Sequence, residues 1–320
     1  MLALVAVAGC GRHTTRSTDS DNPGPEDVRS AEAPATRRDE TAPTLTEMED
    51  VDLHVADGVV IHVRRLEGEA VSSRKGEPVG LDDPGSYEIR LRSAETFVEY
   101  PDLSRVLNDF TFNFEGAPVK GLEVRREEDP GERDEIQLTG RLKKVLGVPF
   151  EIEGRPEATA DGRLRIRTLS IQAFDVKVAG LMDVLGMKTE DLLGGLEERG
   201  IAVDGEDLVL DVGRAFPPPR VSGRVRSVHV TPTGLALSFG AAPPAARSGV
   251  RSNYLWFRGG TIRIGRMTQR DADLRIVDDD PNDPFDFDVR HMNDQLAAGY
   301  AKLAPSGGLT MHVPDEADVR

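Results

Sequence analysis

Along most of this chain, apolar and polar residues alternate. Tyr87-Glu88-Ile89-Arg90-Leu91 and Arg163-Leu164-Arg165-Ile166-Arg167 change character at every position, so each predicts a strand with one buried and one wet face. The same reading predicts strands over 59–66, 119–125, 135–142, 148–158, 207–211, 221–230, 235–239, 261–265, 272–277 and 309–313. Short turn signals separate several of them: Asp82-Asp83-Pro84-Gly85, Ala160-Asp161-Gly162 and Thr231-Pro232-Thr233-Gly234. Strands joined by such turns pair antiparallel with their neighbours.

Helical spacing interrupts this pattern in three places. Leu103, Val106, Leu107 and Phe110 fall at i, i+3, i+4 and i+7 behind Asp102, a good N-cap residue. Within 161–212, Leu181, Met182 and Leu185 form a short apolar turn stopped by Gly186. Leu192, Leu193 and Leu196 form a second stripe between Thr189 and Gly200. Residues 291–303 predict a helix with Met292, Leu296 and Tyr300 on one face. The expected fold class is therefore α+β: a long, mostly antiparallel β-meander curled around one or two helices, with a small C-terminal α/β extension. Phe216-Pro217-Pro218-Pro219-Arg220 predicts a stiff extended connector.

Composition narrows the class. The net charge of −16 works against a surface that binds nucleic acid or anionic lipid as a whole. A single cysteine, Cys10, rules out a disulfide framework within the chain. The opening MLALVAVAGC resembles the lipobox of bacterial lipoproteins, in which the peptide is cleaved before the cysteine and the cysteine is acylated. The expected organisation is a signal peptide over 1–10 ending at Cys10 and a polar, unfolded tether over 11–50. A β-rich domain over 51–240 follows, and then C-terminal strands plus a helix over 241–320 that pack on it.

Motifs for chemistry are sparse. The chain has no Gly-x-Ser-x-Gly elbow, no Walker loop and no dinucleotide fingerprint, and its six histidines show no metal-ligand spacing. Asp278, Asp280 and Asp283 lie in an acidic loop whose oxygens could hold Ca²⁺, but the EF-hand order is missing and Asp-Pro and Asn-Asp make turns unaided, so no metal is expected. Trp256 and Phe257 offer aromatic faces, which are more often core.

Residues 87–239 resemble the tubular lipid-binding (TULIP) superfamily. The likeness is carried by the apolar and glycine patterns of 103–110, 135–154, 180–186, 200–211 and 221–240. It implies a non-catalytic carrier of lipid acyl chains that needs no cofactor. Such a carrier would be anchored through Cys10 in a bacterial envelope and face the periplasm. The expected lining is Leu103, Val106, Leu107, Phe110, Leu181, Met182, Leu185, Leu192 and Leu196. Two rival readings are an envelope scaffold that binds proteins through its sheet, with Tyr254–Phe257 exposed, and an enzyme built around 278–291.

Overall fold

The computed structural model describes residues 42–127, 134–143, 147–173, 196–242, 253–280 and 282–319. Cys10, Leu181, Met182, Leu185 and Leu192 lie outside them, as does the part of the expected tether before residue 42.

The first strands are β1 (Thr44–Ala56), β2 (Val59–Ser72), the two-residue β3 (Val79–Gly80) and β4 (Tyr87–Glu99). Helix α1 (Tyr100–Arg105) follows and runs into a π-turn, Val106–Thr111. The meander comes next: β5 (Val119–Arg126), β6 (Ile136–Leu142), β7 (Pro149–Ala158), β8 (Leu164–Ala173), β9 (Ile201–Asp204) and β10 (Asp207–Leu210). After the short helix Val212–Ala215 come β11 (Arg220–Ser222), β12 (Val225–Val230) and β13 (Gly234–Gly240). The C-terminal part holds β14 (Tyr254–Arg258), β15 (Thr261–Ile264), β16 (Met267–Arg270), β17 (Asp273–Asp278) and β18 (Phe285–Asp288). Helix Met292–Ala298, β19 (Tyr300–Leu303), β20 (Leu309–Val313) and helix Glu316–Val319 complete it.

These strands form three sheets. The largest, of eleven strands, runs β12-β13-β4-β2-β1-β14-β17-β20-β19, with β11 parallel to β4 and β18 parallel to β1. The second, β5-β6-β7-β8-β10-β9, is antiparallel throughout. The third, β16-β15-β3, is small. The first two meet where Val225 N–H donates to the Gly162 carbonyl at 2.8 Å, joining the start of β12 to the β7–β8 turn.

The α+β expectation is overturned. Strands take 56% of the structure and helices 14%, in three sheets. The longest α-helix among the described residues has seven residues. Two local causes are visible. The stripe that begins at Leu103 does not continue as one α-helix: at Val106 the chain widens, and Phe112 N–H reaches the Leu107 carbonyl five residues back at 2.8 Å. The helix expected over 291–303 stops at Ala298, and Tyr300 starts an outer strand.

Two boundaries also move. β1 starts at Thr44, so residues 44–50 of the expected tether are sheet. Their acidic character is absorbed by cross-strand pairing: Glu47 with Arg258, Glu49 with Arg65 at 3.6 Å and, farther along, Asp52 with His62 at 2.7 Å. α1 starts at Tyr100 with Glu99 as its N-cap, and Asp102 is buried inside the first turn instead of capping it.

Candidate functional site

The β5–β10 sheet curls over α1 and the π-turn and leaves an apolar cavity of about 120 Å³ between them. Strand chemistry shapes it. β5 carries a bulge between Lys120 and Glu123, with Gly121 at φ +60°, and β8 carries one at Leu169, opposite Glu153 and Gly154. Bulges bend and twist a strand locally. A Cβ on Gly140 would stand 2.7 Å from Leu122 and 2.9 Å from Phe150, so the missing side chain lets those two residues fold over β6.

The lining is entirely non-polar. Leu103, Val106 and Leu107 come from the helical side, Ile136, Ile152 and Ile166 from the sheet, and Leu196 closes one end. The polar atoms of this joint point away from the cavity and are satisfied. Asn108 Nδ2 donates to the carbonyls of Ser104 and Leu122, each at 2.7 Å, and its Oδ1 accepts from Leu122 N–H at 2.9 Å. Ser104 Oγ accepts from Val124 N–H at 2.9 Å. β5 is an outer strand, so these side chains take the place of a neighbouring strand. Arg199 Nη1 donates to the Phe110 carbonyl at 2.6 Å.

A second apolar cavity of about 70 Å³ lies against the inner face of β1, β2, β4 and β13. Val212 and Phe216 line both cavities, and the proline connector after Phe216 walls the second. Phe110, expected in the lining, instead faces an open groove beside Asp57, Pro218 and Arg290, because the π-turn shifts its phase. Of the nine expected lining residues, the structure therefore brings Leu103, Val106, Leu107 and Leu196 together, places Phe110 elsewhere, and does not describe the other four. Most of the lining comes from strands. Their inward positions were visible as alternation, but nothing in the sequence marked that face as hollow.

The aromatic stretch is committed to the large sheet. Tyr254, Leu255 and Phe257 are buried. The guanidinium groups of Arg258 and Arg275 stack 4.2 and 4.1 Å from the Trp256 ring, which donates Nε1–H to Asp273 at 2.9 Å.

Titratable groups gather at the far end of β17 and β18. His54 bonds Asp286, which raises its pKa above the ordinary 6.5 against the effect of burial. Asp288 is opposed by burial but held below the ordinary carboxylate range by hydrogen bonds from His291 and Arg290. Burial pushes Asp278 up to about 6 and raises Asp315 as well. Of the acidic loop residues expected to gather, Asp278 and Asp283 do meet, with Asp315 as the third member, whereas Asp280 Oδ1 accepts from Asn282 N–H at 3.1 Å. The pairing of histidines with distant aspartates has no signal in sequence spacing. Among the described residues, no helix is long and apolar enough to cross a membrane. The chain matches no protein-family model, no curated protein and no solved structure.

Proposed function

We propose that this chain holds the acyl chain of a lipid in the cavity beneath the β5–β10 sheet, as a non-catalytic carrier. One observation carries the reading: a cavity between a curled antiparallel sheet and a helix, lined by non-polar residues alone. The TULIP-like sequence pattern supports it. The same proposal takes acylated Cys10 as the anchor to a bacterial envelope membrane, with the folded part facing the periplasm.

Magnitudes indicate how the ligand lies. An apolar cavity of roughly 150 Å³ stays dry and accepts a molecule the size of benzene. A micromolar complex needs about 8 kcal/mol, or about ten methylenes at about 0.8 kcal/mol each. The first cavity alone, at about 120 Å³, is too small for that. A chain that passes Phe216 into the second cavity, of about 70 Å³, gains part of the missing length, with Phe216 standing between the two.

The test is native mass spectrometry with organic extraction on the full chain carrying Cys10→Ser, purified without detergent. Lipid at fixed stoichiometry is expected. Leu107→Arg places a charge in the cavity and should abolish it. Leu107→Phe fills the same space and should weaken it without lowering the melting temperature. A lipid-free protein that also takes up no fluorescent fatty acid would sink the proposal.

The scaffold reading keeps one observation in its favour. β19 is an outer strand whose Tyr300 and Leu303 are exposed. Its other expected mark, an exposed Tyr254–Phe257, is contradicted by the burial of that strand.

A further inference from the structure

Three carboxylates converge from separate parts of the C-terminal region. Asp278 ends β17, Asp283 precedes β18, and Asp315 follows β20. One oxygen from each lies within 4.8 Å of the other two. Asp278 is only 1% exposed. Its Oδ1 accepts from Asp280 N–H at 2.8 Å, and its Oδ2 is buried at the cluster with no hydrogen-bond partner. The neighbouring Asn253 side chain donates to the Asp283 carbonyl and also hydrogen-bonds the Asp278 carboxyl group, which offsets only part of the effect of its burial. Asp315 uses Oδ1 to accept from Asp286 N–H at 2.9 Å. The charges felt by Asp315 are those of Asp286, Asp283 and Asp318, all negative. Among the described residues, no Lys, Arg or His pairs with any of the three carboxylates.

A buried carboxylate oxygen with neither donor nor cation is strongly unfavourable. The adjacent group Asp288, His291 and Glu316 shows the contrast. There the Arg290 guanidinium reaches Asp288 Oδ2 at 3.2 Å, so the protein supplies its own positive group. At Asp278 it supplies none.

We propose that Asp278, Asp283 and Asp315 bind a Ca²⁺ ion. All the donors are carboxylate oxygens, which suit a hard cation, and the cluster holds no sulfur or imidazole to favour zinc. Calcium–oxygen distances of about 2.3–2.6 Å let two ligands stand about 5 Å apart across the ion, whereas magnesium at about 2.1 Å spans only about 4 Å. Water completes the coordination on the side of Asp283, which is exposed. The ion ties the end of β17, the approach to β18 and the chain after β20 into one unit.

The test is calorimetric titration of the chelator-treated full chain with CaCl₂, alongside melting in calcium, in magnesium and in chelator. One Ca²⁺ per chain with submillimolar affinity is expected, with a higher melting temperature in calcium than in equal magnesium. Asp278→Asn and Asp315→Asn should each weaken binding at least tenfold. Asp278→Asn should also melt no lower than the parent in chelator, since an amide needs no counter-ion, which separates lost binding from lost folding. Absence of binding up to about 10 mM Ca²⁺ on folded protein, well above the range of weak calcium modules, would overturn the proposal. So would binding unchanged in both variants.

Discussion

Asn108 sits on the polar side of the apolar stripe and joins α1 to β5 through three hydrogen bonds. Truncating it leaves the Leu122 N–H and carbonyl without these partners at a half-buried edge. Asn108→Ala should cost about 2 kcal/mol, seen as a melting temperature lower by about 4–8 °C. A shift within about 1 °C would show that water replaces the side chain freely. In the sequence Asn108 reads only as a solvent-facing residue, because helical spacing marks which face is apolar and not what an outer strand borrows from the other face.

His62 bonds Asp52 across β1 and β2 and lies 5.5 Å from the Phe97 ring. The hydrogen bond to Asp52, working against partial desolvation, raises its pKa above 6.5, and the negative charges of Asp52, Glu99 and Asp102 add to this. A raised folded-state pKa means that protonated His62 favours the fold. Its contribution is complete below pH 6.5 and is lost as pH climbs through the folded-state value. His62→Gln should therefore lower stability at about pH 5.5 more than at about pH 8.5, by less than about 1 kcal/mol for a part-exposed pair. Chemical denaturation at both values decides it, and equal losses would contradict the pairing.

At the scale of elements, the meander was legible. Alternation marked β6, β7 and β8, and Gly162 forms the expected turn at φ +86°, with Thr159 N–H donating to the Arg163 carbonyl at 2.9 Å. Three features were not legible. β1 resembles a tether because its acidic residues are neutralised by strands remote in sequence. The π-turn uses residues that suit an α-helix equally well, and only packing against β5 distinguishes the two. The hollow beneath the meander depends on how far the sheet curls, which glycines and bulges set jointly. Gly140→Val tests that last point. It crowds Leu122 and Phe150, should cost about 1–3 kcal/mol, and should reduce acyl-chain uptake. Uptake and stability both unchanged would mean that the sheet curls without help from Gly140.

For the whole molecule, the two larger sheets are joined through the segment from Val212 to Val221. It leaves β10, contributes Val212 and Phe216 to both cavities, and enters the large sheet as β11 beside β4. β14 pairs with β1, and β18 runs parallel to it, so the first strand and strands from the C-terminal part share one sheet. A linear reading sees a composition break near residue 241 but has no access to pairing between strands some two hundred residues apart.

The most direct test of lipid binding in the cavity is a methyl NMR titration of the full chain carrying Cys10→Ser and labelled at isoleucine δ1, with a long-chain fatty acid as ligand. The account predicts large shifts for Ile136, Ile152, Ile166 and Ile201, which line the first cavity, and smaller ones for Ile61 and Ile89 beyond Phe216. Ile262 and Ile264, in the small sheet, should stay in place. Saturating ligand that leaves the four cavity isoleucines unmoved, or shifts all eight alike, would contradict it.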